Sequence, residues 1–416
     1  MYTAFAIHFP GPTPHVKVMY PITINTNPGI AAREVTRMAK GVRAVLAGDA
    51  AAGVLDHPDD VCLTPDGLPT RRQGIWPTAG PEVAARRFDA WLKHFAAAGG
   101  EIDLLVLDAE DDYAIWNMPP ERLVAITQDP RFAALGRVLG FNDARQAMPH
   151  RATRAGEPAR WNAVMSGIVA AARRKAVYEP LRKNFPKAVM CNFNDVVIDE
   201  AHIAMGVQGQ PWYALGGPSG THQSPALFGG AAPRQIAADW SRPYLQMIYA
   251  TNFVRSLARS SEVPQLPWVP FKAMAPGNGR EAGFGGGDMY EEAVAHILLS
   301  GGTDNLLFYN PAPPADLPPG VRLPRFATTA DADALNALLA DMQKQAGGKR
   351  IVAPVVVDPI RYETKFVLSA ARLEDGSTLC RITFAENEGV AQLRIGGHLV
   401  RVDRPVGKMG VWMRIP

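Results

Sequence analysis

The feature that most constrains this chain is a unit that recurs at least four times. It is a stretch of helical apolar period, a Gly or Pro stop, then a short apolar run ending in polar residues. Gly80–Pro81–Glu82 opens the first with Pro in the first helical turn, and Val83, Phe88, Trp91, Leu92 and Phe95 form its apolar stripe. Gly99–Gly100 stops it, and Ile102–Leu107 reads as a strand running into DAEDD. A second helix carries Trp161, Val164, Met165, Ile168 and Ala172 towards Pro186, after which Ala188–Cys191 leads into Asn192, Asn194 and Asp195. A third opens near Ser241 and Pro243, with Leu245, Ile248, Tyr249 and Leu257 inward, before the strand QLPWVPF and Lys272. The fourth, Met289–Ser300, stops at Gly301–Gly302 ahead of Asn305–Phe308, Tyr309 and Asn310.

Apolar strands alternating with helices imply an α/β fold whose parallel sheet is covered on both faces. An early strand pair near Ala4–His8 and Val16–Ile24, a helix from Ile30 to Leu46 and a loop-rich stretch over 200–240 supply the remaining units. About 320 residues of this alternation suit a (β/α)8 TIM barrel better than a doubly wound sheet. The segment PAPPADLPPGVRLP reads as an extended connector, followed by a helix over Asp331–Gln345 with Leu335, Leu338, Leu339 and Met342 inward. Beyond it IVAPVVV, KFVLSAARL, TLCRITF, AQLRIGG, HLVRV and GVWMRI are short strands parted by turn residues. The expected organisation is a catalytic barrel over 1–348 and a small antiparallel β-sandwich over 349–416, docked on the barrel because so small a sheet has little core of its own.

Composition removes several classes of function. With 43 Lys+Arg against 40 Asp+Glu the chain lacks the electrostatic footprint of a nucleic-acid binder. No apolar run is long enough to span a membrane, and the start, MYTAFAIHFPG, has neither the basic nor the long apolar region of a secretion signal, so no membrane partner and no export by that route are expected. Cys62, Cys191 and Cys380 stand far apart, which argues for buried thiols over a disulfide framework or a zinc site. The dinucleotide fingerprint is absent, and GFGGGD at 283–288 lacks the lysine and hydroxyl of a phosphate loop, so no cofactor is expected. The nine histidines form no HxH or HExxH pair; His94 and His296 fall inside helices and read as structural, whereas His8 and His222 are candidates to line a barrel mouth. GGPSG does not have the spacing of a nucleophile elbow.

In a barrel the chemistry gathers at the C-terminal ends of the strands. Asp108 and Glu110 are two residues apart at one such end, so in extended backbone they share a face. Two carboxylates held together do not both ionise easily; one keeps a proton near neutrality and can serve as an acid. Glycosidic-bond cleavage uses such a pair. Asp111 and Asp112 read as helix-capping residues, and the whole DAEDD run is also able to hold a hard metal ion. Around this pair, Asn192, Asn194 and Asp195 are candidates to hydrogen-bond sugar hydroxyls, as are Tyr309 and Asn310. Tyr113, Trp116, Trp212 and Tyr213 are candidates to stack on pyranose faces, and Lys272 to bind the carboxylate of an acidic sugar.

LLVLDAEDDYAIW resembles the strand-end D-W-E motif of the hyaluronidase-type glycoside hydrolases, with Ala109 where that family has Trp. The order of features over about residues 100–310 is similar: FND at a strand end, an Arg-containing helix before LPWVPF, and a helix leading through two glycines to LLFYN. The family's disulfide cysteines are missing, and the C-terminal strands look more like the accessory domain of bacterial carbohydrate-active enzymes. The resemblance implies a barrel glycosidase acting on an oligo- or polysaccharide. In it Glu110 would be the acid/base, and Asp108 would hold a substrate acetamido group that attacks the anomeric carbon. The competing readings are a metal-dependent hydrolase or lyase at the acidic cluster, and a carbohydrate-binding barrel without catalysis.

Overall fold

A computed structural model of the chain describes residues 2–3, 17–22, 24–38, 42–48, 63–64, 66–68, 80–108, 128–131, 171–195, 221–226, 243–260, 264–270, 288–309, 329–358, 360–361, 363–385, 388–395 and 398–416. The chain groups into two compact units, one formed by 19–196 with 212–223, the other by 1–18, 197–211 and 224–416. Both are built on parallel strands alternating with helices, an α/β architecture.

In the 19–196 unit the order begins with the end of β1, Lys17–Pro21, then α1 (Pro28–Arg37), β2 (Ala44–Gly48), α2 (Gly80–Ala97) and β3 (Leu104–Asp108). A π-helical turn over Arg174–Tyr178, α3 (Glu179–Asn184) and β4 (Val189–Asp195) follow. The ladder is parallel and unbroken in register: Met19 pairs with Ala44, Ala44 with Leu104, and Leu104 with Val189. Phe88, Trp91, Leu92 and Phe95 recur at helical spacing on α2 and are wholly buried. They pack with Val45, Ala47, Leu105, Leu107 and Met190 of the strands and with Ala176, Val177 and Leu181. The rings of Trp91 and Phe95 stack at 4.8 Å. α2 ends where the sequence stops it, in a Schellman turn: Gly99 N–H reaches Ala96 O and Gly100 N–H reaches Phe95 O, with Gly99 at φ +87°.

One sequence expectation fails here. Ile30–Leu46 is not one helix but α1, which ends at Arg37, and the strand β2. Asn27 caps α1 by accepting from Gly29 N–H at 2.8 Å, and at Met38 the backbone turns extended. The run AVLAG then fills the gap between β1 and β3 in the ladder. A short apolar run carries no period that separates helix from strand, and strand pairing decided the matter.

In the other unit, β5 (Tyr2–Thr3) pairs with the start of β1 and with β8 (Leu307–Tyr309), and β8 pairs with β7 (Trp268–Pro270). β7 takes Ala226, the last residue of β6 (His222–Ala226), in parallel register at Trp268. The expected strand Ala4–His8 and the helix residues Trp161–Ile168 lie outside the described residues. HQSPA lies in the stretch 200–240 expected to be loop-rich; its proline and polar residues disfavour a strand, and the pairing of Ala226 with Trp268 works against that preference. Helices α4 (Pro243–Ser260) and α5 (Asp288–Gly301) pack on each other, and α6 (Thr329–Gln345) follows.

The C-terminal strands form a four-stranded antiparallel sheet and a two-stranded one. The larger consists, in sequence order, of β9 (Ile351–Pro354), β10 (Phe366–Leu373), β11 (Thr378–Phe384) and β14 (Gly410–Ile415), arranged β14-β11-β10-β9. β12 (Val390–Ile395) and β13 (His398–Asp403) make the hairpin. Alternation gives the larger sheet two different faces. Ile382 and Phe384 join Ala391, Leu393 and Val402 of the hairpin in one apolar cluster. Val367, Ser369, Arg381 and Thr383 fall on the opposite face, towards α4 and α5.

That second face is held by a buried polar chain. Arg255 of α4 donates through Nε to Ser300 Oγ at 3.3 Å and through Nη2 to Ser369 Oγ at 3.0 Å, and Ser300 Oγ lies 3.1 Å from Ser369 Oγ. Ser369 Oγ is 2.7 Å from His296 Nδ1, and His296 Nε2 is 2.9 Å from Thr383 Oγ1. Thr383 donates to the Glu292 carboxylate, which also takes both Nε and Nη2 of Arg381. Because Glu292 can only accept, Thr383 must donate to it and accept from His296 Nε2–H. His296 is therefore the Nε2–H tautomer, and its Nδ1 accepts from Ser369. The expectation that His296 is structural holds.

Two glycines make the close approach possible. A Cβ on Gly410 would meet Glu292 Oε2 at 2.6 Å, and one on Gly302, at φ +64°, would clash with Pro354. Glu292→Ala leaves Arg381 buried without its carboxylate, so unfolding free energy should fall by about 3–5 kcal/mol, measured by urea denaturation. Deleting 349–416 strips the partners of Arg255, His296 and Glu292 at once and uncovers apolar helix faces; the truncated chain should be insoluble or lack cooperative unfolding.

Candidate functional site

Asp108 is the last residue of β3, and its place is set by the ladder on both sides. It pairs with Gly48 at the end of β2 and with Phe193 in β4. Leu105 and Leu107 face the helical core with α2, so alternation puts positions 104, 106 and 108 on the other face of the sheet. Directly paired residues share a face, which assigns positions 193 and 195 to the face of 108, and positions 192 and 194 to that of 105 and 107. Asp195 ends β4 two residues beyond Phe193. At ordinary strand rise and spacing its Cα stands about 8 Å from that of Asp108. Two acidic positions thus lie on one sheet face, at the carboxyl ends of neighbouring parallel strands.

Tyr309 ends β8 beside Pro270 of β7 in the other unit. Glu110, Tyr113, Trp116, Trp212, Tyr213, Lys272, Asn310, His8 and the glycine run 283–287 lie outside the described residues. Among the described residues no group of three or more His, Cys, Asp or Glu is arranged to hold a metal ion. Among them, too, no helix is long and apolar enough to cross a membrane. Cys191 and Cys380 are buried thiols, as the sequence implied, and burial pushes Cys380 up to about 11.

His222 does not sit where the sequence placed it. It begins β6, and the preceding Thr221 is tied to Met190, near the start of β4: Thr221 N–H donates to Met190 O at 2.9 Å and Met190 N–H donates to Thr221 Oγ1 at 3.0 Å. Met190 is five residues before Asp195, so His222 lies about 16 Å from the strand ends. It is hydrogen-bonded to Thr221 Oγ1 at 2.9 Å, and burial holds its pKa below the usual histidine value.

Sequence reading missed the chain Arg255–Ser300–Ser369–His296–Thr383–Glu292–Arg381. Its signal is present only as Arg255, Glu292 and His296 among the buried apolar residues of α4 and α5. Glu292 and Arg381 are 89 residues apart, and no local pattern connects them.

No family model matches the chain, and no curated protein matches it. Among solved structures it is similar to a β-galactosidase from the psychrophilic Marinomonas ef1, with a TM-score of 0.44 and 10% identity over 80% of this chain and 56% of that one. The chain therefore spans little more than half the length of that enzyme. A β-L-arabinopyranosidase from Geobacillus stearothermophilus gives a TM-score of 0.40 at 9% identity, over 96% of this chain and 74% of that one. An endo-β-1,4-mannanase from Cellulomonas fimi gives 0.34 at 11% identity, over 99% and 88%. These neighbours are glycosidases by description; the residues of this chain carry the functional argument.

The geometry separates Thr221 from chemistry. Thr221→Ala should lower stability by about 1–3 kcal/mol, because the buried Met190 N–H loses its acceptor. Urea melts would register that loss.

Proposed function

We propose that the chain is a glycoside hydrolase in which Asp108 and Glu110 act as a carboxylate pair. The observation that carries the reading is the position of the D-x-E motif: Asp108 closes a parallel strand on the sheet face opposite the helical core, and Glu110 follows two residues on. The parallel ladders of the two units support a (β/α)8 barrel over 1–348, and the two antiparallel sheets beyond it support a β-sandwich over 349–416.

In this mechanism Glu110 is the general acid that protonates the leaving oxygen and then the base that activates water. A neighbouring carboxylate raises its proton affinity, which suits that role near neutrality. Asp108 holds the 2-acetamido group of the substrate against the anomeric carbon, and configuration is retained without a bond to the protein. Asp195, Tyr309 and Asn310 bind hydroxyls, while positions 192 and 194, on the face of 105 and 107, are left out of the site; Tyr113, Trp116 and Tyr213 supply stacking faces, and Lys272 a cation for an acidic sugar. Asp195 offers the alternative geometry, in which it activates water from a carboxylate gap of roughly 6.5–9.5 Å to Glu110 and the anomer inverts. The density of acid in DAEDD supports a second reading, metal-assisted hydrolysis or elimination at residues 108–112.

Screening on aryl glycosides and uronic-acid oligosaccharides, with and without chelator, separates these readings. Glu110→Gln should lose about 10²–10⁴-fold in turnover on a substrate with a poor leaving group while keeping its fold. A rate within about threefold of wild type removes Glu110 as the acid. EDTA should leave the rate unchanged; loss restored by Mg²⁺, Mn²⁺ or Ca²⁺ transfers the assignment to the metal mechanism. Binding of the panel sugars without cleavage would instead mark a non-catalytic barrel. NMR of the first-formed anomer should show retention, and Asp108→Asn should then be crippled.

A further inference from the structure

His296 is wholly buried in α5, and both of its ring nitrogens are engaged inside the helix–sheet interface. The groups facing it come from each element packed there. α4 contributes Arg255, α5 itself Glu292, and β11 Arg381 with Thr383; β10 contributes only the hydroxyl of Ser369. Asp358, before β10, lies near enough to Arg255 to act on it by charge and accepts from it at its backbone oxygen. Cys380 falls on the opposite face of the sheet, by alternation with Arg381. With His296 neutral, the interface holds two guanidinium cations and one carboxylate. Every hydroxyl along the chain then has a donor and an acceptor.

A proton on His296 Nδ1 upsets both balances. Nδ1 becomes a donor, so Ser369 can no longer give its hydrogen to the ring and must turn towards Ser300, which in turn loses its acceptor. The ring also becomes a third cation, wholly buried, beside the one buried carboxylate, Glu292, with Asp358 acting on Arg255 from the margin. Separating β10 and β11 from α4 and α5 relieves both conflicts by hydrating the imidazolium. We propose that His296 makes the C-terminal sheet an acid-released cover: uptake of one proton from solvent at this ring detaches β10 and β11 from α4 and α5.

Burial and the charges of Arg255 and Arg381 hold the His296 pKa well below its ordinary value. The sign follows from linkage. A histidine less basic in the folded state than in the open one contributes its full stability above about pH 6.5 and loses it as pH falls below that. One proton per opening event makes the opening equilibrium rise about tenfold for each pH unit below that point. The carboxylates held below their usual values, Asp89, Asp129 and Asp375, give up their contribution only at more acid pH. His222 titrates abnormally as well, but it belongs to β6 next to β4, so location distinguishes the two.

The test is hydrogen–deuterium exchange of the full chain at pH 7.0, 6.0 and 5.0, corrected for intrinsic exchange and read on peptides covering 290–302 and 366–384. The wild type should show protection in those peptides falling about tenfold per pH unit below about 6.5. In His296→Gln, whose amide stays neutral, that dependence should vanish. Flat protection in the wild type overturns the proposal, and so does an equal slope in the variant. If the variant fails to fold, the wild type decides alone, because a slope confined to the β4–β6 peptides or absent altogether also overturns it.

Discussion

The ion pair between Glu292 and Arg381 fixes how the C-terminal sheet lies on α4 and α5. A buried carboxylate and guanidinium recover their lost hydration only in a specific geometry, with the remaining hydrogen-bonding sites filled. Here two guanidinium nitrogens meet the two carboxylate oxygens, Thr383 adds a third donor, and the Arg381 guanidinium lies 4.7 Å over the Trp412 ring. A slip of β11 by one residue would carry Arg381 and Thr383 to the apolar face against the hairpin. The pair therefore selects register more than it adds attraction. Asn252 extends the same control to the segment before β10, its amide bridging both the N–H and the carbonyl of Ile360.

The 19–196 unit is organised differently. Its strands are apolar on both faces: Leu105, Leu107 and Met190 meet the helical core, while Leu104, Val106 and Cys191 are buried on the other side. Such a sheet has little freedom to slide along α2, because the stacked rings from Phe88 to Phe95 fill fixed spaces between strands. The consequence for function is positional. Asp108 owes its place to backbone pairing with Gly48 and Phe193, and it needs no loop to hold it there.

How far the sequence could be read follows from the range of the interactions involved. α2 and β3 were legible because the apolar spacing of Phe88, Trp91, Leu92 and Phe95, the Gly99–Gly100 stop and the run LLVL are all local signals. The strands β10 to β14 were legible for the same reason, through alternation and the turns between them. Ala44–Gly48 and His222–Ala226 were not, since the first has no period of its own and the second has strand pairing working against propensity. Of the candidate site, the sequence identified which strand ends carry acid. It could not show that β4 places position 195 on the face of 108 and positions 192 and 194 on the other, because that depends on the offset between β3 and β4. His222 was misplaced by a whole strand length for a related reason: only the link from Thr221 to Met190 reveals which end of β6 it occupies.

The contrast between the two polar clusters bears on which of them can be chemical. Ser369, His296 and Glu292 contain the residue types of a hydrolytic triad, with Ser369 Oγ 2.7 Å from the imidazole. The ring accepts from the serine as a triad's base would, yet its connection to the acid runs through Thr383. Ser369, His296 and Thr383 are fully buried, and Ser369 already receives Arg255 and lies against Ser300. A nucleophile needs a vacant approach and a base with capacity to spare; here every lone pair and proton is committed to holding two layers together. Asp108 lies elsewhere, as the last residue of β3, paired with Gly48 and Phe193. Saturated hydrogen bonding identifies the first cluster as architecture.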